Sequence, residues 1–146
     1  MDRPSGVPAL GDDAVILDRH EAGDIRAHLD GEDEETARRF GWWPARSTEA
    51  TVRAAFEEWA THWRRGGPTR AFAVRDRATR TLVGGCELRC GPDGTGQVSY
   101  WTSARHRGNR YATRALSLLC GYAFSIGITG DGGQPLVRYT RTAAPA

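Results

Sequence analysis

The order of elements legible in this sequence, β–α–α–β–β–β–α, predicts an α/β fold whose central sheet is mostly antiparallel and flanked by helices. Three observations carry that reading. Behind Ser47-Thr48-Glu49, the large apolar residues Val52, Phe56, Trp59 and Trp63 recur at helical spacing. Between residues 70 and 102, three short apolar stretches are separated only by tight turns, the connection that antiparallel neighbours take. A loop rich in arginine then opens onto a second amphipathic stretch near Asn109.

The chain has 146 residues, enough for one ordinary domain. Residues 1–13, rich in Pro, Gly and Asp, read as a flexible leader, residues 14–127 as the domain, and residues 128–146 as an irregular tail. Ala14-Val15-Ile16-Leu17 is the first strand. Residues 21–40 are acidic and helix-compatible, split into two short helices around Asp30-Gly31. Gly41-Trp42-Trp43-Pro44 is a turn carrying two large aromatics. At the next helix a hydroxyl caps the first free N–H groups and Glu49 puts an acid in the first turn. Arg64-Arg65-Gly66-Gly67-Pro68 ends it with positive charge and two glycines. The following strands cover residues 70–75, 81–89 and 97–102, and Gly84-Gly85 marks a bulge or a close backbone approach in the second. The last helix carries an apolar stripe of Ala112, Leu116, Leu119 and Ala123, widened by Ala115, Cys120 and Phe124. After Ser125 periodicity is lost, and only residues 136–140 look strand-like.

Composition narrows the function. Five Trp, four Phe and four Tyr can fill a real core, so the chain is globular rather than a disordered tail. Its longest nearly apolar run, residues 115–124, is about half of what a bilayer span needs, so no membrane partner is expected. Met1-Asp2-Arg3-Pro4 does not begin an export signal, and Cys86, Cys90 and Cys120 are too few and too unevenly spaced for a disulfide framework; a reduced cytoplasmic protein is expected. The net charge of +2 divides into −5 over residues 1–68 and +7 over residues 69–146, every basic residue being arginine. An anionic ligand therefore belongs to the second half.

The segment with chemical content is Tyr100-Trp101-Thr102-Ser103-Ala104-Arg105-His106-Arg107-Gly108-Asn109-Arg110-Tyr111-Ala112-Thr113. It joins a strand to a helix N-terminus, where unpaired N–H groups point outward and the dipole favours negative charge. Gly108 lets the backbone turn tightly enough for those groups to converge on one anion. Arg105, Arg107 and Arg110 can add charge-assisted hydrogen bonds. That is the chemistry of a pyrophosphate site; the alternative is a basic loop that caps a helix with its arginines in water.

Arg105-x-x-Gly108-x-Arg110-Tyr111-Ala112 resembles the acetyl-CoA motif of the GNAT superfamily of N-acetyltransferases, Gln/Arg-x-x-Gly-x-Gly/Ala. Ser99-Tyr100-Trp101 and Arg107-Gly108-x-x-Tyr111-Ala112-Thr113-x-Ala115-Leu116 are similar to the branch that acetylates ribosomal-protein N-termini, the RimJ/RimL type. The resemblance runs from about Ala14 to Gly127. It implies a GNAT-like mixed sheet, acetyl-CoA as cosubstrate and no metal. Main-chain groups of Trp101 and Thr102 would line the pantetheine arm, and Arg107, Gly108, Asn109, Arg110, Tyr111 and Ala112 would wrap the pyrophosphate. The acceptor would be a peptide N-terminus or a small amine attacking the thioester directly. Arg110 departs from the family pattern, which has Gly or Ala there. The family also continues past this helix with a strand, a helix and a hairpin. Here that continuation is expected to be missing, leaving a sheet edge open to pairing with a second copy of the chain.

Glu87, the lone carboxylate within the strand meander, is the candidate general base; the competing reading makes it a surface acid paired with Arg89 or Arg75. Tyr139 is a weaker candidate for the acid. His20, His28, His62 and His106 show no metal-ligand spacing, and Cys86 and Cys90, four apart on one strand, read as core thiols. Phe40, Trp42 and Trp43 read as core, with the acceptor pocket as their functional alternative. Two other functions stay open: a truncated, non-catalytic CoA-binding remnant, and an arginine-rich RNA-binding domain. Against the latter, no aromatic platforms interleave with the arginines and the first half is acidic.

Overall fold

Strand pairing follows the apolar alternation along the chain. The structure, a computed structural model, describes residues 6–33, 35, 38 and 47–129. Its strands are β1 (Leu10–Gly11), β2 (Val15–Asp18), β3 (Thr69–Asp76), β4 (Leu82–Cys90) and β5 (Gly96–Thr102), in a single antiparallel sheet of order β1-β2-β3-β4-β5. The helices are α1 (Asp24–Gly31), α2 (Glu49–Arg65) and α3 (Tyr111–Ser125), with a short 3-10 turn, Ala104–His106, after β5.

Two expectations at the N-terminus change. Part of the stretch read as a leader is structured: Leu10–Gly11 adds an edge strand to β2, and Asp12 accepts hydrogen bonds from the amides of Ala14 and Val15 at 2.7 and 2.8 Å to close the turn. A short side chain that can satisfy two amides makes so tight a reversal possible. The acidic helical region breaks at Glu32, whose backbone is extended at φ −83° and ψ 130°, one residue beyond the expected Asp30-Gly31. The second expected helix there, with Phe40, Trp42 and Trp43, lies outside the described residues, as does Tyr139.

One sheet face carries Val15, Leu17, Phe72, Val74, Cys86, Leu88 and Val98, packed with Leu116, Leu119 and Ala123 of α3. At about 2 kcal/mol for each large side chain removed from water, this layer outweighs any surface ion pair and holds the sheet. Phe124 departs from the expected stripe: it is 66% exposed. α1 and α2 cover the other face. Thr48 caps α2 by accepting from the Thr51 amide at 3.1 Å, and Gly66, left-handed at φ 67°, ends it. Trp63 anchors α2 by donating its indole N–H to the Ala71 carbonyl at 2.9 Å, with Phe72 edge-on at 5.2 Å.

On that same side Arg75 is buried and donates to Asp24 at 2.7 and 2.8 Å, to Asp18 at 2.8 Å and to the Arg19 carbonyl at 2.9 Å. This network ties α1 and β2 to β3. The Gly84-Gly85 expectation is met in both its forms. Val74 pairs with Gly84 but Arg75 with Leu82, leaving Val83 as the extra, bulged residue. A Cβ on Gly85 would stand 2.6 Å from the Trp101 indole nitrogen, and one on Gly84 would meet the Trp101 carbonyl.

Candidate active site

Chain direction assembles the site. β5 runs out at Thr102, the 3-10 turn reverses the chain, and α3 starts at Tyr111 against the same sheet face. Gly108 at φ 85° and Arg110 at φ 64° are both left-handed, and Arg110 is the N-cap. A left-handed residue directly before a helix turns successive amides to one side, the arrangement that cradles anions. No atom lies within 4 Å of where a Gly108 Cβ would be, so the space in front of the loop is open.

A cleft of about 260 Å³ lies there, lined by Tyr100, Thr102, His106, Arg107, Gly108, Arg110, Tyr111, Ala112 and Thr113. Six of the expected cofactor-binding residues are thus together: Thr102, Arg107, Gly108, Arg110, Tyr111 and Ala112. Asn109 stands just outside, its amide donating to the His106 carbonyl at 3.2 Å and so bracing the loop. Trp101 points elsewhere. Ser103 donates its amide to the Val83 carbonyl and Gly96 to the Thr129 carbonyl, so alternation turns the main chain of Trp101 toward β4 and that of Val98, Tyr100 and Thr102 outward. The Trp101 indole lies on the α1 side, 4.6 Å from the His28 ring.

Sequence reasoning missed Tyr100, His106 and Thr113 as lining residues. The signal for two of them was present: Tyr100 is two residues before Thr102 on one strand face, and Thr113 is in the first helical turn. His106 carries no such signal, and its Nδ1 is buried with no hydrogen-bond partner among the described residues.

The three arginines do not act alike. Arg107 is held by Asp33 at 2.9 Å and Glu35 at 3.2 Å, linking the loop to the end of α1. Arg105 and Arg110 are exposed. Tyr111 braces the helix start by donating its hydroxyl to Asp76 at 2.7 Å; that bond holds the Asp76 carboxyl below, and the Tyr111 phenol above, its ordinary value.

Glu87 is half-buried on the sheet face opposite α3, paired in register with Ser99, whose hydroxyl donates to it at 3.1 Å. Its partner is therefore Ser99 rather than Arg75, which Asp18 and Asp24 occupy. On the side covered by α1 and α2, His20 packs against Phe56 and Trp59 at 4.5 and 4.9 Å; burial pushes its pKa down to about 3, so it is neutral. Burial likewise lowers His28. No group of His, Cys, Asp and Glu that could hold a metal occurs among the described residues. Cys86, Cys90 and Cys120 are free thiols, and burial raises Cys86.

The GNAT acetyltransferase domain model matches residues 15–137 of the sequence. The chain belongs to the GNAT acetyltransferase family. Acetyl-CoA-dependent acetylation is the activity of that family. Among solved structures, this GNAT domain is similar to a GNAT-family acetyltransferase from Bacillus anthracis, with TM-score 0.67 and 16% identity, over 82% of this chain and 68% of that one. It is also similar to the acetyltransferase of Salmonella typhimurium that modifies the N-terminal serine of 50S ribosomal subunit protein L7/L12, with TM-score 0.61 and 13% identity, over 81% and 69% of the two chains. A third likeness is the Microcin C7 self-immunity acetyltransferase MccE in complex with acetyl-CoA and AMP, with TM-score 0.68 and 13% identity, over 81% and 67%. At these identities the likeness is one of fold. No curated protein matches the sequence. These comparisons lend no support to the CoA-binding remnant or the RNA-binding domain. The continuation expected to be missing falls on residues outside those described. Within them, the chain after α3 turns at Gly127, φ 84°, and lays Thr129 parallel to Thr95 beside the outer edge of β5. No helix among the described residues is long and apolar enough to cross a membrane.

Proposed function

We infer that this GNAT domain transfers the acetyl group of acetyl-CoA to a primary amine, either a protein N-terminus or a small amine, by direct attack. The observation that carries this reading is the cleft at the start of α3, where left-handed backbone at 108 and 110, two lining arginines and the helix dipole all favour one anion. Amides of Gly108 to Ala112, with Arg107 and Arg110, wrap the diphosphate. The pantetheine arm runs along the outer edge of β5, against the main chain of Thr102 and beside Trp101. From that edge a thioester reaches the sheet face that carries Glu87.

The amine nitrogen bonds to the thioester carbonyl carbon, the C–S bond breaks, and CoA leaves as a thiolate. The nitrogen gives one proton to Glu87, and the thiolate collects one from the protonated carboxyl or from water. An α-ammonium with pKa near 8 loses its first proton to water before attack, and the proton left on the nitrogen afterwards is acidic enough for a single carboxylate steadied by Ser99 to take. Likeness to the enzyme that modifies the N-terminal serine of protein L7/L12 supports a peptide acceptor, and likeness to the one in complex with acetyl-CoA and AMP supports a small one. A cytoplasmic setting suits three free thiols, and pairing with a second copy of the chain is the companion expectation.

Calorimetric titration of the folded protein with acetyl-CoA tests this reading, followed by an acceptor screen with N-terminal peptides and polyamines read by mass spectrometry. Micromolar binding and an acetylated amine support it. A folded protein that gives no binding heat overturns it.

A further inference from the structure

We propose that the Trp101 indole sets the acceptor specificity of the domain: with the Glu87 carboxylate it forms a recess for an alkylammonium group. The inference rests on the acetyl-transfer reading and deepens it by naming the chemistry of the acceptor's reacting end. Strand register sets the two side chains together. Gly85 pairs with Trp101 and Glu87 with Ser99, so both stand on the sheet face that α1 and α2 cover. Gly85 leaves the ring its room: a Cβ there would stand 2.6 Å from the indole nitrogen and 3.3 Å from Cδ1. The indole therefore lies over β4, two residues and about 7 Å along the strand from Glu87. Trp101 and Glu87 are each half-exposed, so a ligand can reach both.

Charge points the same way. Ser99 donates its hydroxyl to one Glu87 oxygen at 3.1 Å, and no cation pairs with that carboxylate among the described residues. Arg75, on the same face, is spent on Asp18 and Asp24, and Arg89, the next residue along, is exposed. A half-buried carboxylate without a cation favours a ligand that brings one. The face of an indole attracts an ammonium in the same way. His28, whose ring stands 4.6 Å from Trp101, does not take that place, because burial lowers its pKa and leaves it uncharged at neutral pH. Residues 1–68, which supply α1 and α2 over this face, carry a net charge of −5, so the surrounding field also favours a cation. A protonated alkylamine or α-amino terminus gains from ring and carboxylate together before it gives its first proton to water. An arylamine, uncharged near neutral pH, gains from neither charge term.

The test loads the full chain with CoA and titrates wild type, Trp101→Phe and Trp101→Leu with butylamine and with its uncharged counterpart butanol at neutral pH. Affinities come from the ligands' own nuclear magnetic resonance signals. The indole N–H signal lost in both variants reports contact with Trp101 in the wild type. Expected is about tenfold weaker butylamine binding in the Leu variant and about threefold in the Phe variant, with butanol changed by less than about twofold. With the amine that the enzyme acetylates, the Leu variant should raise KM about tenfold while kcat and acetyl-CoA affinity hold. The Phe variant keeps a ring over Gly85 and carries the test if the Leu variant melts early. Unchanged butylamine affinity overturns the proposal. So does an equal loss for butanol, which makes the ring an apolar filler, or aniline acetylated as efficiently as butylamine. A wild type that binds acetyl-CoA but takes butylamine no better than butanol overturns this inference alone. One that binds no acetyl-CoA overturns the acetyl-transfer reading and this inference with it.

Discussion

Replacing Gly108 with glutamate separates a phosphate-binding loop from a basic turn that merely caps a helix. Gly108 is left-handed at φ 85°, and no atom lies within 4 Å of the added Cβ. The fold therefore meets only the left-handed penalty, about 1–2 kcal/mol, and the melting temperature should fall by about 5 °C. Binding suffers far more. A carboxylate about 5 Å from a diphosphate carrying about two charges, in a half-open site with an effective dielectric near ~40, meets roughly 3 kcal/mol of repulsion. That corresponds to affinity weakened by about 150-fold. Gly108→Ala is the control, since it carries the same backbone penalty without the charge. Calorimetric titration with acetyl-CoA reads affinity and differential scanning calorimetry reads the fold. A Glu variant that keeps wild-type affinity would show that the anion does not bind in front of residues 107–112, whatever the cleft's shape.

Three further outcomes follow from particular contacts. Asp24→Ala leaves the buried Arg75 with one carboxylate and should cost about 3 kcal/mol, lowering the melting temperature by about 10 °C. Burial pushes the Asp24 carboxyl up, but the hydrogen bonds from Arg75 and the Glu21 amide, with the Arg75 charge, outweigh it and hold the carboxyl below the ordinary value. Its contribution is thus complete above an unfolded aspartate's pKa of about 3.9 and is lost as pH falls through the lower folded value, so the variant should show a flatter acid limb in thermal melts taken from pH 7 to pH 2. Asp18 runs the other way, raised by burial that Arg75 only partly offsets, so acid sensitivity unchanged by Asp24→Ala would refute this assignment. Glu87→Gln should lower kcat/KM about 100-fold near neutral pH while leaving acetyl-CoA affinity intact; unchanged turnover would remove Glu87 as the base. Gly85→Ala sets a methyl 2.6 Å from the Trp101 indole nitrogen, which should displace the ring at a cost of about 2 kcal/mol, visible in near-ultraviolet circular dichroism; an unchanged spectrum and melt would mean the ring is not seated against that glycine.

Much of the architecture was legible because the signals are local. Val52, Phe56, Trp59 and Trp63 declare a helix by period alone, and the structure has one from Glu49 to Arg65. The three central strands fell within a residue or two of their expected ends, since turn residues bound them. The short strand at Leu10–Gly11 was not legible: two residues carry no periodicity, and only pairing with β2 makes them a strand. Phe124 continues the apolar stripe of α3 but overhangs the sheet, and a stripe's spacing does not say where its partner layer stops.

The candidate site divides along the same line. The sequence by itself determined that a strand meets a helix N-terminus across Arg105-x-x-Gly108, because glycine, charge order and helix start are properties of neighbouring residues. It also determined the resemblance to a GNAT domain. What only the tertiary structure decided is which side chains are available there. Asp33 and Glu35 claim Arg107 from more than seventy residues away, Asp12 and Asp13 claim Arg114 from about a hundred, and Arg110 is left facing the cleft. Glu87 finds Ser99 through strand register, and Trp101 turns to α1 because Gly85 leaves room for its ring. Charge partners and close approaches are set by distances in space, and those distances have no counterpart in sequence separation.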